Sequence, residues 1–194
     1  MIGIVLCGGQ SERMGSDKGI LLANGQTWAS LAEVKLKSLN IPVKFSVNAD
    51  QESDYSNLFQ KENLIPDDFT LNIGGPLKGV LSAYLSAPAE DLFVLACDLI
   101  KMDISLMNRL MDEQKQYPDF DAYVFLNNEF YEPLCGIYTA NGLAKIVKLY
   151  NEGNLKKHSM HTNLDLLNTH KLILSATEQS YFKNFNSPTE LNEL

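Results

Sequence analysis

Cysteine is scarce: three in 194 residues, Cys7, Cys97 and Cys135, far apart and with no CxxC pair. An odd, sparse set excludes a disulfide scaffold and fits a reducing, cytoplasmic setting. Long apolar runs are missing too. No stretch reaches the roughly 20 residues that span a bilayer. The opening Met1-Ile2-Gly3-Ile4-Val5-Leu6 has no basic leader and no small-residue cleavage site, so neither export nor a membrane role is expected. Positive charge is in deficit: 16 Lys+Arg stand against 24 Asp+Glu, for a net charge of −8. The pI near 4.8 argues against a nucleic-acid partner, which usually requires a basic face. It does not exclude an anionic ligand, because a local nest of backbone N–H groups holds phosphate even in an acidic protein. What is present is ordinary globular composition, 45% hydrophobic and 21% charged, which excludes a disordered tail or a low-complexity fibre. The length favours one domain, taken as residues 1–194, with a sizeable core.

Apolar patterning divides the chain into alternating strands and helices. Residues 2–7 form a short apolar run closed by Gly8-Gly9, which reads as a buried parallel strand. Trp28, Leu31, Ala32, Leu36 and Leu39 follow a helical period behind Thr27 as N-cap. Residues 43–48 read as a strand and 65–67 as a short extended piece. Residues 78–87 read as a helix entered through Gly74-Gly75-Pro76 and stopped by Pro88. Residues 92–97 form the most apolar strand, ended by Asp98, and residues 103–117 a helix followed by Pro118. Two strands, 121–126 and 130–138, flank an Asn127-Asn128 turn, and a helix at 140–150 and a strand at 170–174 follow. Ser187-Pro188-Thr189-Glu190 is a capping box, so a short terminal helix is expected there. The alternation predicts an α/β layered fold with a mostly parallel sheet.

The densest chemical signal is residues 6–18, Leu6-Cys7-Gly8-Gly9-Gln10-Ser11-Glu12-Arg13-Met14-Gly15-Ser16-Asp17-Lys18. Paired glycines at a strand end let backbone N–H groups face a ligand. Arg13 and Lys18 add two cations suited to polyphosphate oxygens, Arg gripping two at once and Lys acting as a point charge. Ligands of open α/β sheets sit at this end of the strands. The run is neither GxxxxGK[ST] nor GxGxxG, so P-loop and dinucleotide fingerprints do not apply. The competing reading is a Gly-rich surface loop with stray charges. Ser11 either donates to phosphate or caps the loop, and Asp17 either orients Lys18 or is a solvated neighbour. Asp98 ends an apolar strand, where a lone carboxylate is costly unless solvated, paired or metal-bound; the alternative is a capping Asp. Asn48 ends a strand with both a donor and an acceptor, or is a turn residue. Gly74, Gly75 and Gly79 allow close backbone approach or serve the turn alone. His158, His161 and His170 show no metal-ligand spacing. Lys156 and Lys157 read as a solvated basic run. Cys7 and Cys97 read as small buried apolar residues.

Residues 6–18 resemble the LxGGxSxRMGxDK signature of nucleotidyltransferases, and within them the molybdenum cofactor guanylyltransferase (MobA-like) family. The similarity continues in order: Leu64-Ile65-Pro66-Asp67, Gly74-Gly75-Pro76-Leu77-Lys78-Gly79, Ala96-Cys97-Asp98, Glu132-Pro133-Leu134 and Asn186-Ser187-Pro188. It implies a single-domain, Rossmann-like three-layer α/β/α fold. It implies a Mg²⁺-dependent transfer of GMP from GTP to molybdopterin or Mo-molybdopterin, with pyrophosphate released. Lys18, Arg13 and Asp98 would be catalytic, with Mg²⁺ on Asp98. Leu6, Cys7, Gly8, Gly9, Lys18, Asn48, Asp67 and Asp98 would bind the nucleotide; the Pro-Asp match favours Asp67 over Asp68. Proteins that deliver the cofactor are implied partners. Two positions depart from the family. Asp98-Leu99-Ile100 lacks the Pro common two residues after the Asp, and Glu132 replaces Gln or His before Pro133. Tyr131 and Tyr138 either pack a pterin ring or are strand residues. Two other functions remain open at this point: a cytidylyltransferase or other small-molecule nucleotidyltransferase, and a nucleotide-binding adaptor without chemistry.

Overall fold

The structure, a computed structural model, describes residues 1–7 and 17–185. Gly8, Gly9, Ser11 and Arg13, together with Asn186-Ser187-Pro188 and the expected terminal helix, lie outside the described residues.

β1 (Ile2–Leu6) is apolar on both faces because helices cover both; Ile4 and Val5 point to opposite sides and are each fully buried. A single 3₁₀ turn, Lys18–Ile20, leads to a hairpin of β2 (Leu22–Ala23) and β3 (Gln26–Thr27). It turns at Asn24 and Gly25, with φ of 52° and 77°, as an Asn-Gly hairpin requires. These two-residue strands are too short for the sequence pattern to show. α1 (Trp28–Lys37) starts as expected at Thr27, whose Oγ1 accepts from the Ser30 N–H at 3.1 Å. Then come β4 (Val43–Val47), α2 (Glu52–Ser56) and β5 (Leu64–Pro66). α3 (Pro76–Ser86), β6 (Leu92–Ala96) and α4 (Ile104–Gln116) follow, the last capped by Asp103. β7 (Ala122–Asn127) and β8 (Phe130–Tyr138) form the second hairpin, with Asn128 at φ 55° in its turn. α5 (Ala140–Asn151), α6 (Met160–Leu164) and β9 (Thr169–Ile173) follow, and a 3₁₀ turn at Glu178–Phe182 comes after them. The sequence pattern gives no sign of α2 and α6. At five residues each they are too short to show a helical period.

The seven long strands form one sheet in the order β5-β4-β1-β6-β8-β7-β9. Only β8 runs against the rest, pairing antiparallel with β6 and β7. The sheet is therefore mostly parallel, as the alternation of elements predicts. Strand alternation sends Val5, Phe45, Phe93 and Leu95 to one face, where they pack with Leu36 of α1 and Leu110 of α4. Ile4, Leu6, Leu92 and Val94 go to the other, with Leu81 of α3 and Leu143 of α5. The result is the three-layer α/β/α arrangement.

This topology positions the site. From β1 the chain crosses to β4 and β5 on one side, then returns as β6 on the other. The β1/β6 gap is thus a topological switch point, and ligands of open α/β sheets settle beside it at the carboxyl ends of the strands. Cys7, Asn48, Asp67 and Asp98 all follow a strand at that edge. No helix among the described residues is long and apolar enough to cross a membrane.

Candidate active site

Asp98 stands one residue beyond Cys97, at the end of β6, and Lys18 opens the turn that follows residues 8–16. Lys18 Nζ donates to Asp98 Oδ2 at 3.0 Å, with both side chains less than a fifth exposed. The second oxygen, Asp98 Oδ1, is buried and has no hydrogen-bond partner among the described residues. A carboxylate oxygen removed from water without a donor is costly. Here the missing partner fits a cation. No group of three or more His, Cys, Asp or Glu that could hold a metal occurs among the described residues. Mg²⁺ beside phosphates takes few protein ligands.

The stretch after Asp98 has its own support. Lys35, on α1, donates to the carbonyls of Leu99, at 3.4 Å, and Ile100. Burial pulls its ammonium down to about 8, against an upward pull from neighbouring anionic groups. Leu99 is buried, so Leu99-Ile100 without the family's Pro is held by packing and by Lys35.

On the other side of β1 lies a cleft of about 530 Å³, lined in part by Leu6, Asn48, Asp67, Phe69 and Lys78. That volume suits a small ligand. Burial pushes the Asp67 carboxyl up, and the charge of Lys78 pulls it partly back. Asp68 is turned away: its Oδ1 accepts from the Thr70 N–H at 2.8 Å and from the Thr70 hydroxyl at 2.6 Å. Of the two Asp residues, Asp67 is the one lining the cleft. Gly75 precedes α3 at φ 69°, a left-handed conformation that a side chain would strain. A Cβ at Gly79 would fall 2.4 Å from Ser46 Oγ, so this glycine lets α3 close on β4.

Leu6 and Cys7 have spent their backbone groups inside the protein. The Leu6 carbonyl accepts from Cys97 N, and the Cys7 N–H donates to the Ser46 carbonyl, each at 3.1 Å. Toward a ligand, Leu6 therefore offers apolar surface. All three cysteines are free and buried. Lys18, Asp98, Asn48, Asp67, Leu6 and Cys7 thus share one edge, with Lys18–Asp98 on one flank of β1 and Asn48–Asp67 on the other.

Gln51 and Tyr55 of the α2 region carry no sign in the sequence pattern. Gln51 Nε2 donates to the Cys7 carbonyl at 3.0 Å and to Asp17 Oδ2 at 2.8 Å. The Tyr55 hydroxyl donates to Asp17 Oδ1 at 3.2 Å, and that oxygen also accepts from the Gly19 N–H at 2.8 Å. Asp17 is therefore a structural tie rather than a solvated neighbour. Burial still pushes its carboxyl up, against these bonds. Lys78 is a further residue that sequence reasoning misses, although it sits inside the glycine-rich 74–79 motif.

The second half of the sheet separates the remaining candidates. Tyr138 is buried, and its hydroxyl donates to the Pro133 carbonyl at 2.7 Å, which makes it a core residue. Tyr131 lines an open cleft with His161, Asp165 and Lys171. Its hydroxyl donates to Asp165 at 3.1 Å. Glu132 accepts from Asn127 Nδ2 at 2.8 Å, and burial pushes its carboxyl up. Lys156 reaches the nearby Gly153 carbonyl, and Lys156 and Lys157 are exposed. His170 packs among Tyr117, Phe120 and Tyr123 and pairs with Glu113 at 2.7 Å, a structural role.

Known proteins match this arrangement. The family described as "MobA-like NTP transferase domain" matches residues 3–165. A "Probable molybdenum cofactor guanylyltransferase" of Geobacillus sp. (strain WCH70) is 28% identical over 196 residues, covering 100% of this chain and 97% of the relative. Among solved structures, molybdopterin-guanine dinucleotide biosynthesis protein A from Archaeoglobus fulgidus is similar at TM-score 0.78 and 20% identity, covering 100% and 96% of the two chains. The 2-C-methyl-D-erythritol 4-phosphate cytidylyltransferase of Francisella tularensis reaches TM-score 0.69 at 14% identity, over 99% and 96%. At these identities the solved structures speak to the fold alone.

Proposed function

The chain belongs to the MobA-like NTP transferase family, and on that premise we propose that it transfers GMP from GTP to the terminal phosphate of molybdopterin or Mo-molybdopterin. A terminal phosphate oxygen of the acceptor attacks the α-phosphorus of GTP. The bond from that phosphorus to the bridging oxygen breaks, and pyrophosphate leaves with the electron pair. The product is the guanine dinucleotide form of the cofactor. The nucleophile is already an ionised phosphate, so no strong general base is needed. Positioning and charge neutralisation carry such a reaction.

The observation that carries this reading is the buried Asp98 Oδ1, without a partner among the described residues, beside Lys18 at the β1/β6 switch point. Mg²⁺, held by Asp98 with water and triphosphate oxygens, would supply charge neutralisation there. Lys18 places a fixed cation beside the triphosphate and spreads its growing charge, with Arg13 as the expected second cation. Asn48 and Asp67, which line the cleft, would face the nucleoside. Buried, reduced cysteines suit a cytoplasmic enzyme, and a delivery protein for the finished cofactor is its natural partner.

The test is pyrophosphate release from GTP, CTP, ATP and UTP, with and without Mg²⁺ and molybdopterin. Thermal stability is measured in parallel. A ligand at a hundredfold its Kd stabilises the folded form by about 2.7 kcal/mol. The expected result is acceptor- and Mg²⁺-dependent release that is fastest with GTP. Fastest release with CTP would replace the nucleotide and keep the chemistry. Stabilisation by nucleotide without release under any condition would make the chain a binding adaptor.

A further inference from the structure

Gln51 is nearly buried, at 7% exposure, and lies outside every motif that the family resemblance covers. Its side-chain amide and that of Asn48 interlock. The Asn48 N–H donates to Gln51 Oε1 at 2.9 Å, and the Gln51 N–H donates to Asn48 Oδ1 at 3.0 Å. Backbone N–H groups only donate, so both accepting atoms must be oxygens and neither amide can be flipped. Gln51 Nε2 then faces two acceptors, the Cys7 carbonyl and Asp17 Oδ2. Cys7 and Asp17 stand on either side of residues 8–16, and Asp17 precedes Lys18. One amide thus fixes the spacing of the end of β1, the residue before Lys18 and the end of β4.

We infer that Gln51 is a positioning residue for the nucleotide: it locks Asn48 with its Nδ2 donor turned away from the Gln51 N–H, and through Asp17 it sets where Lys18 stands. Asn48 Oδ1 is already engaged, while Nδ2 has no partner among the described residues. The ligand atom that Asn48 Nδ2 meets is therefore an acceptor, a sugar or base oxygen or a ring nitrogen. The inference rests on the nucleotide reading of this site and assigns a residue to it that the family motifs do not.

The test uses the full chain with GTP and Mg²⁺, reading GTP Kd by calorimetry as well as KM and kcat. Gln51→Glu keeps the acceptor for the Asn48 N–H but loses the donor to Cys7 and sets a carboxylate against Asp17. Its GTP Kd and KM are expected to rise roughly tenfold or more, the scale of a lost charge-assisted hydrogen bond. The KM for the acceptor changes far less, and kcat at saturating GTP falls less than the GTP KM rises. Adding Asp17→Asn restores a donor facing the introduced carboxylate with the direction of the bond reversed, and most of the lost GTP affinity returns. Should Gln51→Glu fold poorly, Asn48→Asp replaces it. That change keeps the oxygen bonded to the Gln51 N–H and replaces the Nδ2 donor with a charged acceptor, so Kd rises more than Tm falls. Unchanged GTP Kd in Gln51→Glu, or in Asn48→Asp where that variant stands in, overturns the inference. So does a fall in Tm alone, or a loss of kcat with KM unmoved. Because Kd is read without turnover, a wild type that binds GTP but releases no pyrophosphate overturns the transferase reading separately.

Discussion

The two edges of the sheet make opposite use of their carboxylates. At the amino edge a cleft of about 750 Å³, lined by residues including Asp91, Asp121 and Lys145, exceeds the 530 Å³ cleft at the carboxyl edge. Yet Asp91 and Asp121, two of the acids that line it, are both employed. Lys145 Nζ reaches both oxygens of Asp121 at 2.7 Å, and the Asn168 N–H donates to the same carboxylate at 3.0 Å. Asp91 accepts from the Ala140 N–H and from Gln114 Nε2, each at 2.8 Å. These bonds pin β6, β7, α4 and α5 to one another. At the carboxyl edge, Asp98 keeps a buried oxygen without a partner among the described residues, and the Asp67 carboxyl is raised by burial. Volume therefore does not locate the site. A carboxylate oxygen without a partner among the described residues, at the carboxyl ends of the strands, is the better guide, because the protein bears its cost until a ligand relieves it.

Asp98→Ala offers the sharpest test of that contrast. Turnover should fall about 10²–10³-fold, the scale seen when an electrostatic stabiliser is removed. Tm without ligand should fall less than in Asp121→Ala, since removal of an unsatisfied buried atom offsets the lost Lys18 pair. Normal turnover with lost stability would erase the distinction between the edges. Asp121→Ala should behave in the opposite way. Losing its charged hydrogen bonds costs about 2–3 kcal/mol of stability, or a Tm lower by about 4–12 °C for a chain of this size. GTP KM and kcat well below that Tm should not move.

Lys35→Met probes the support under Leu99 and Ile100, and a fall of several-fold in kcat is expected from a displaced Asp98. It also removes a pH signature. The Lys35 pKa is lowered on folding to about 8, so between about 8 and its ordinary 10.5 the unfolded chain holds more protons. Wild-type stability from this group therefore rises with pH across that window, and the variant should lack the rise in denaturant titrations. The smallest effect is expected for Asp67→Asn without nucleotide. Burial raises the Asp67 pKa, so the group contributes most below its unfolded value of 3.8 and costs stability as pH rises through its folded value. The variant should melt slightly higher than wild type at pH 7, with the advantage gone at pH 3.

Lys18, Asn48, Asp67 and Asp98 are legible in the sequence because each stands where a strand or a signature loop ends. Local patterning marks such places. Gln51 is not, because its acceptors Cys7 and Asp17 lie 44 and 34 residues away and its helix is one turn long. Lys35 escapes for the same reason: its carbonyl partners are 64 and 65 residues distant. Lys78 lies inside a recognised motif, but its place in the cleft depends on how α3 approaches β4 through Gly79. For Tyr138 the sequence allows two roles, and burial settles it as core.

Apolar periodicity, strand-ending acids and the 6–18 signature were enough to define an α/β layered fold and to point to the chemistry at its carboxyl edge. These are local properties, written in neighbouring residues and in the spacing of a helix or strand. Which carboxylates are spent and which are spare was settled only when distant segments met. Asp121 finds Lys145 across 24 residues, whereas Asp98 finds Lys18 across 80 and keeps an oxygen without a partner among the described residues. Whether a polar group is satisfied depends on every element packed around it, and no single stretch of chain contains that information.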